Sequence, residues 1–172
     1  AYYSTTSFVD AQIGKVLDKL KETGLDKNTI VVFTSDHGYH LGEKGHWQKQ
    51  TLYDRATRVP LIISGPGIIS NKKISSPVEL VDLYKTIMDL ANVSTPNFVQ
   101  GFSLKDVLTK NSKPKRKSAF SELRVNFDGK KAQGYSIKTD RYRLIRWAYD
   151  DETHYELYDH KYDKEENINL VK

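Results

Sequence analysis

Apolar residues recur at every third or fourth position between Ser7 and Gly24. Val9, Ile13, Val16, Leu17 and Leu20 share one face, the spacing of an amphipathic helix. Ser7 stands where an N-cap is expected, Asp10 falls in the first turn, and Gly24 is placed to stop the helix. The period then changes. "TIVVFTS" at 29–35 and "VPLIISG" at 59–65 are apolar without alternation. Such runs suit strands buried on both faces, as in a parallel sheet covered by helices. "SPVE" at 76–79 announces a second helix, with Ser76 as N-cap, Pro77 first in the helix and Glu79 three after the cap. Leu80, Leu83, Tyr84, Ile87 and Ala91 make its apolar face. Helix, strand, long loop, strand, helix is the order of an α/β domain.

The texture changes after "STPN". Residues 95–117 are polar and basic and read as a connector. From Ser118 short runs rich in aromatic and β-branched residues follow: "SAFSELRV", "AQGYSIKTD", "YRLIRWAY" and "HYELYDH", separated by Gly, Asp and Asn. These predict a small antiparallel sheet.

Composition narrows the function classes. The 172 residues are 38% hydrophobic and 28% charged, an ordinary globular balance. No stretch reaches the roughly 18 apolar residues of a membrane span. The absence of cysteine excludes disulfides, thiolate zinc sites and a cysteine nucleophile within these residues. The net charge of +5 allows an anionic partner. The densest basic run, "KNSKPKRK" at 110–117, reads as a solvated linker. It lacks the aromatic interleaving of a nucleic-acid platform, so no nucleic-acid partner is expected. The opening "AYYSTTSFVDAQIG" has neither the basic start nor the apolar core of a signal peptide. It also lacks an initiator Met, so a piece of a longer protein is expected.

The chemistry concentrates in "TSDHGYHLGEKGHWQK", residues 34–49, directly after the first apolar run. In open α/β sheets ligands sit at the carboxyl ends of strands, which is where Asp36 and His37 fall. A carboxylate suits a hard cation such as Ca²⁺ or Mg²⁺. The adjacent imidazole can add a nitrogen ligand or bond an anionic substrate. Gly38 allows a sharp turn and close approach. The plain alternative is an ordinary polar turn. His40 and His46 read as loop residues, Glu43 as a brace, Trp47 as packing or as a pocket lip that holds a sugar ring, and Lys49 alone as a surface lysine.

The longer string "TSDHGYHLGEKGHWQKQTLYDRATRVPLIISGPG" resembles the sulfatase family of the alkaline-phosphatase-like superfamily, most closely its iduronate-2-sulfatase and choline-sulfatase branches. "SFVDAQIGKVLDKL" and "SPVELVDLYKTIMDLANV" are similar to the helices flanking this segment, and "YSIKTDRYRLIRW" and "ELYDHKYDKEENINL" to the C-terminal signatures. The resemblance implies an alkaline-phosphatase-like α/β sandwich, with residues 1–112 as the C-terminal part of the α/β domain and 113–172 as a small antiparallel sheet subdomain. It implies that Asp36 and His37 are ligands of one Ca²⁺ holding the sulfate. Lys49 would be catalytic, contacting a sulfate oxygen or the ester oxygen, with His46 and Trp47 beside it as substrate contacts. Arg58 stands near this shell without a catalytic role. The implied substrate is a sulfated sugar or other small sulfate ester, and the implied compartment is extracytoplasmic.

The sequence departs from the family in two respects. The nucleophile of sulfatases, formylglycine, arises from a [CS]-x-P-[SA]-x-R motif. "SSPVE" and "STPNF" lack its small residue and Arg. The N-terminal aspartates of the metal site have no counterpart either, and Ca²⁺ takes six or more ligands. The chain is therefore expected to work with an N-terminal half that carries both. A phosphodiester or phosphonate hydrolase of the same superfamily, and a non-catalytic module for acidic polysaccharide, are the alternatives.

Overall fold

The computed structural model describes residues 1–127, 129–149 and 152–171. Tyr2–Glu22 forms α1. It starts five residues before the expected cap, and the Thr5 and Thr6 hydroxyls bond back to the carbonyls of Ala1 and Tyr2 within it. Ser7 thus lies inside the helix. Gly24 does end the run: it takes φ 68° and donates its N–H to Lys21 O at 3.0 Å. The apolar stripe is present, yet no residue of α1 is buried.

A single 3₁₀ turn leads into β1 (Val31–Thr34). β1 pairs with β4 (Leu61–Ser64) in antiparallel register, from Val31↔Ser64 to Thr34↔Leu61. This corrects the expectation of a parallel pair buried on both faces. Apolar runs do not encode strand direction. A parallel return needs a crossover of a dozen or more residues, usually a helix. The intervening chain instead builds a hairpin, β2 (His40–Leu41) with β3 (Trp47–Gln48), and the four-residue α2 (Asp54–Thr57). Phe33 and Ile62 remain exposed.

The next helix, α3, spans Asp82–Leu90 and begins six residues after Ser76. Its reciprocal cap has shifted: Glu79 N–H donates to Asp82 Oδ2 (3.0 Å) and Asp82 N–H donates to Glu79 O (2.9 Å). Glu79 is drawn instead to Arg116 (2.9 Å). Leu80, Tyr84 and Ile87 stay exposed, and the buried side of α3 carries Asp82 and Thr86. Thr86 Oγ1 accepts Leu104 N–H (2.9 Å), and Asp82 Oδ1 accepts Phe102 N–H (2.8 Å). These bonds fold the expected connector back as α4 (Lys105–Thr109), with Leu104 and Val107 buried. Arg116 grips Asp82 through two hydrogen bonds, 3.0 and 2.7 Å, so this residue of the basic run is no solvated linker. Lys113, Lys115 and Lys117 are exposed.

β5 (Ser118–Phe127), β6 (Lys130–Thr139), β7 (Tyr142–Tyr149) and β8 (Glu152–Asp159) form one antiparallel meander in chain order, as the short aromatic and β-branched runs predicted. Its inner face builds the main core. Ile145 and Tyr158 are buried against Leu52, with Tyr53, Leu123 and Trp147 packed around them. Beside this cluster lies a buried ion network. Arg143 Nε donates to Glu166 Oε1 (2.6 Å), its Nη2 to Asp54 Oδ1 (2.8 Å), and its Nη1 to Leu52 O (3.1 Å) and Ser136 Oγ (2.9 Å). Glu166 Oε2 accepts Asp54 N–H (2.8 Å).

Removing one partner of a buried pair strands the other charge, at a cost of about 3–5 kcal/mol. Arg143→Ala should lose stability of that order in urea unfolding; a loss under about 1 kcal/mol would contradict the network's role. Asp82 supplies a second test. Burial pushes its carboxyl up, but bonds from Arg116 and from the N–H groups of Glu79 and Phe102 outweigh burial and hold it below the ordinary value. Its folded form therefore binds a proton less readily than its unfolded form. The stability it contributes is present above the ordinary carboxylate range and is lost as pH falls through and below that range. Asp82→Asn should flatten this acid limb in a pH series of unfolding midpoints; an unchanged limb would contradict it.

Candidate active site

The loop after β1 is held by backbone and glycine geometry. Gly38 N–H donates to Ala56 O at 2.8 Å. A Cβ at Gly38 would fall inside contact distance of the Arg55 carbonyl oxygen. Only the absence of a side chain lets this loop dock on α2. The docking projects Asp36 and His37 together. The Asp36 side chain is 83% exposed and its Oδ2 lies 3.7 Å from His37 Nε2. Asp36 Oδ1 accepts His37 N–H at 3.0 Å. His37 Nδ1 is 2.7 Å from Gly38 O. A carbonyl only accepts, so Nδ1 carries the proton and Nε2 keeps its lone pair.

That pair fits a hard cation. Ligand bonds to Ca²⁺ run about 2.3–2.6 Å, so neighbouring ligand atoms at right angles stand about 3.3–3.7 Å apart. A carboxylate oxygen and a lone-pair nitrogen at 3.7 Å match this, with the backbone orienting the imidazole as metal-ligating histidines require. A second acidic group, Asp54 with His160 and Glu166, brings three ligand atoms within 4.8 Å of one another. It already holds a cation: the Arg143 guanidinium bonds both carboxylates, and His160 Nε2 lies 2.7 Å from Glu166 Oε1. This group is a structural ion network.

The hairpin positions the other candidates. His40 pairs with Gln48 and Leu41 with Trp47. Glu43 braces the turn by accepting Leu41 N–H (2.6 Å), and that bond holds its carboxyl below the ordinary value. Lys49 follows β3 and is exposed; its carbonyl accepts Thr51 N–H at 2.8 Å. Thr51 Oγ1 lies 2.7 Å from His40 Nε2, which closes the hairpin base three residues from His37. His40 is fully buried; burial, then the nearby His46, push its imidazole below the ordinary value, so it packs as a neutral ring. His46 lies between His40 and Tyr53, at ring distances of 5.7 and 5.8 Å. It lines a cleft of about 380 Å³ with Gln50, Thr51, Tyr53, Ala132, Trp147 and Tyr149. Trp47 stands apart from that cleft, 66% exposed, with its indole against Gly42. Arg58 is exposed and pairs with Asp54 at 3.6 Å.

Sequence reasoning passed over Lys44, which pins the hairpin to the C-terminal segment. Its ammonium bonds the Glu166 carbonyl and lies 4.7 Å from the Tyr53 ring and 5.2 Å from that of Tyr158. Thr51, Trp147 and Tyr149 were also passed over as cleft residues. Only the adjacency of "GHWQKQTLY" in sequence hinted at the first; nothing local pointed to the other two.

The molecule is thus a mixed α/β chain that offers a carboxylate–imidazole pair at the end of its first strand, with an exposed lysine directly after the hairpin that follows. The sulfatase family profile matches residues 1–93. A sulfatase of Formosa agariphila is 39% identical over 98% of this chain and 31% of its own length. An N-acetylglucosamine-6-O-sulfatase of Bacteroides thetaiotaomicron is 37% identical over 98% of this chain and 31% of its own. The solved structure of a 2-O GAG sulfatase superimposes with TM-score 0.85 at 31% identity, covering 95% of this chain and 36% of its own. The chain belongs to the sulfatase family. Its fold is that of the C-terminal part of an alkaline-phosphatase-like domain, and it spans about a third of the length of the relatives it matches.

Gly38→Ala should push the loop off α2 and cost about 1–3 kcal/mol, the usual penalty of overpacking. Thermal unfolding checks this; a midpoint equal to wild type would contradict the docking described.

Proposed function

We propose that the chain supplies the Asp36–His37–Lys49 part of the active centre of a sulfate-ester hydrolase. The observation that carries this is the 3.7 Å pairing of Asp36 Oδ2 with the lone-pair nitrogen of His37 on a loop locked by Gly38. Asp36 and His37 would hold a single Ca²⁺, which when bound supplies positive charge against the sulfate. Two ligands do not complete a six- to eight-coordinate site. The remaining ligands and the formylglycine would come from a segment outside these 172 residues, the N-terminal half of the enzyme. The threefold greater length of the relatives supports this.

The chain's own residues have defined work. A sulfate ester brings one negative charge, and its leaving oxygen develops another. Lys49 presents an ammonium to those oxygens, the electrostatic stabilisation that acyl- and phosphoryl-transfer sites also use. His37, held by Gly38 O, keeps one orientation. Asp36 stays aimed by the His37 N–H. The substrate is a sulfated sugar, supported by the activities for which the 2-O GAG sulfatase and the N-acetylglucosamine-6-O-sulfatase above are named. A 2-O-sulfated uronic sugar of the iduronate type is the particular substrate the sequence resemblance favours. Such esters are met outside the cytoplasm, so an extracytoplasmic site of action is proposed. No helix among the described residues is long and apolar enough to cross a membrane.

In the complete enzyme Asp36→Ala should abolish metal-dependent release of sulfate. Lys49→Ala should lower kcat on the order of 10²–10³-fold with a smaller change in KM. Near-wild-type turnover of either variant would overturn the assignment. Faster turnover of a phosphonate monoester than of 4-nitrophenyl sulfate by the wild type would favour phosphonate chemistry instead.

A further inference from the structure

The cleft beside the hairpin has no part in the roles above. It lies between residues 46–53 and the sheet, with His46, Gln50, Thr51 and Tyr53 on one wall and Trp147 and Tyr149 on the other. At about 380 Å³ it falls within the range of small-molecule sites. It is bounded firmly. Trp147 sits opposite Gly134 in the β6–β7 register, and a Cβ at Gly134 would strike its indole. Tyr149 stacks on His154 at 4.9 Å with 15° between the planes.

One buried polar group, behind the lining, bears on the cleft through Thr51. His40 is fully buried, its Nε2 is 2.7 Å from Thr51 Oγ1, and its Nδ1 has no partner. Orphaned buried N–H donors are rare. With the ring proton on Nε2, His40 donates to Thr51 Oγ1 and Nδ1 is an unfilled acceptor. The Thr51 hydroxyl, already accepting from His40, keeps its own proton to donate, and Thr51 lines the cleft. Gln50 adds an amide. Among the described residues the lining carries no carboxylate, ammonium or guanidinium, which suits an uncharged ring with hydroxyls rather than the sulfate itself. Aromatic walls and a few placed hydroxyl and amide groups are the usual recipe for such a ligand. The cleft also begins next to Lys49, whose carbonyl is tied to Thr51.

We infer that this cleft is a sugar subsite: it receives the pyranose ring of the sulfated substrate, with Trp147 and Tyr149 as wall and Thr51 as hydrogen-bond donor, His40 positioning that donor. The inference rests on the sulfatase reading and adds the residues that select a sugar over other sulfate esters.

The test uses the full-length enzyme with three probes: N-acetylglucosamine 6-sulfate, a 2-O-sulfated uronate disaccharide, and 4-nitrophenyl sulfate, which has no sugar. The readout is the ratio of kcat/KM for the better sugar ester to that for the aryl ester. Tyr149→Ala and Thr51→Val should each lower this ratio at least tenfold, mainly through KM. Thr51→Ser, which keeps the hydroxyl, should restore it to within about twofold. Equal losses on sugar and aryl esters, an unchanged ratio, or no rescue by serine would each overturn the subsite while leaving the sulfatase reading in place. A wild-type enzyme that hydrolyses none of the three esters would overturn the reading beneath it.

Discussion

The interaction on which the rest depends is the buried grip of Arg143 on Glu166 and Asp54. It joins three pieces far apart in sequence: the segment after the hairpin, the third strand of the C-terminal sheet, and the turn beyond β8. A guanidinium suits this, because its planar fork serves two carboxylates, a carbonyl and a hydroxyl at once. Buried charges are costly, so the arrangement persists only because almost every lone pair and proton has a partner. Once Asp54 is fixed, α2 is fixed. With α2 in place, Gly38 can dock on Ala56, and Asp36 and His37 are aimed. The acid–histidine pair thus takes its geometry from an ion network on the sheet.

The same network explains why this part of the chain carries its own core while the α1–β1–β4–α3 part does not. Leu52, Ile145 and Tyr158 are buried by the sheet. By contrast, α1 buries no residue, and Ile62, Tyr84 and Ile87 face outward. Apolar faces of that extent mark surfaces built for further packing, in keeping with relatives about three times as long. Asp82, Arg116 and Glu79 hold α3 and α4 together by polar contacts where apolar ones are few.

Local pattern disclosed much of this. The short runs after Ser118 give the meander because aromatic and β-branched residues bounded by Gly, Asp and Asn favour strands joined by tight turns. The position of Asp36, His37 and Gly38 just past β1 was legible because they follow an apolar run at once. Other features were hidden for physical reasons. The direction of β1 against β4 depends on how the intervening chain returns, which no apolar run encodes. The start of α3 moved from Ser76 to Asp82 because Arg116, 34 residues further on, outbid the local cap. Arg143 with Asp54 and Asp54 with Glu166 pair across 89 and 112 positions, and a single sequence gives no sign of such partners. The cleft wall of Trp147 and Tyr149 was invisible for the same reason.

The most direct test of the central claim is crystallography of the full-length enzyme grown with calcium and sulfate. The account predicts one cation liganded by an Asp36 carboxylate oxygen and by His37 Nε2, with a sulfate oxygen on that cation and another within hydrogen-bond reach of the Lys49 ammonium. A cation bound among Asp54, His160 and Glu166 in place of Arg143, or a sulfate-holding cation elsewhere with Asp36 and His37 unliganded, would contradict it.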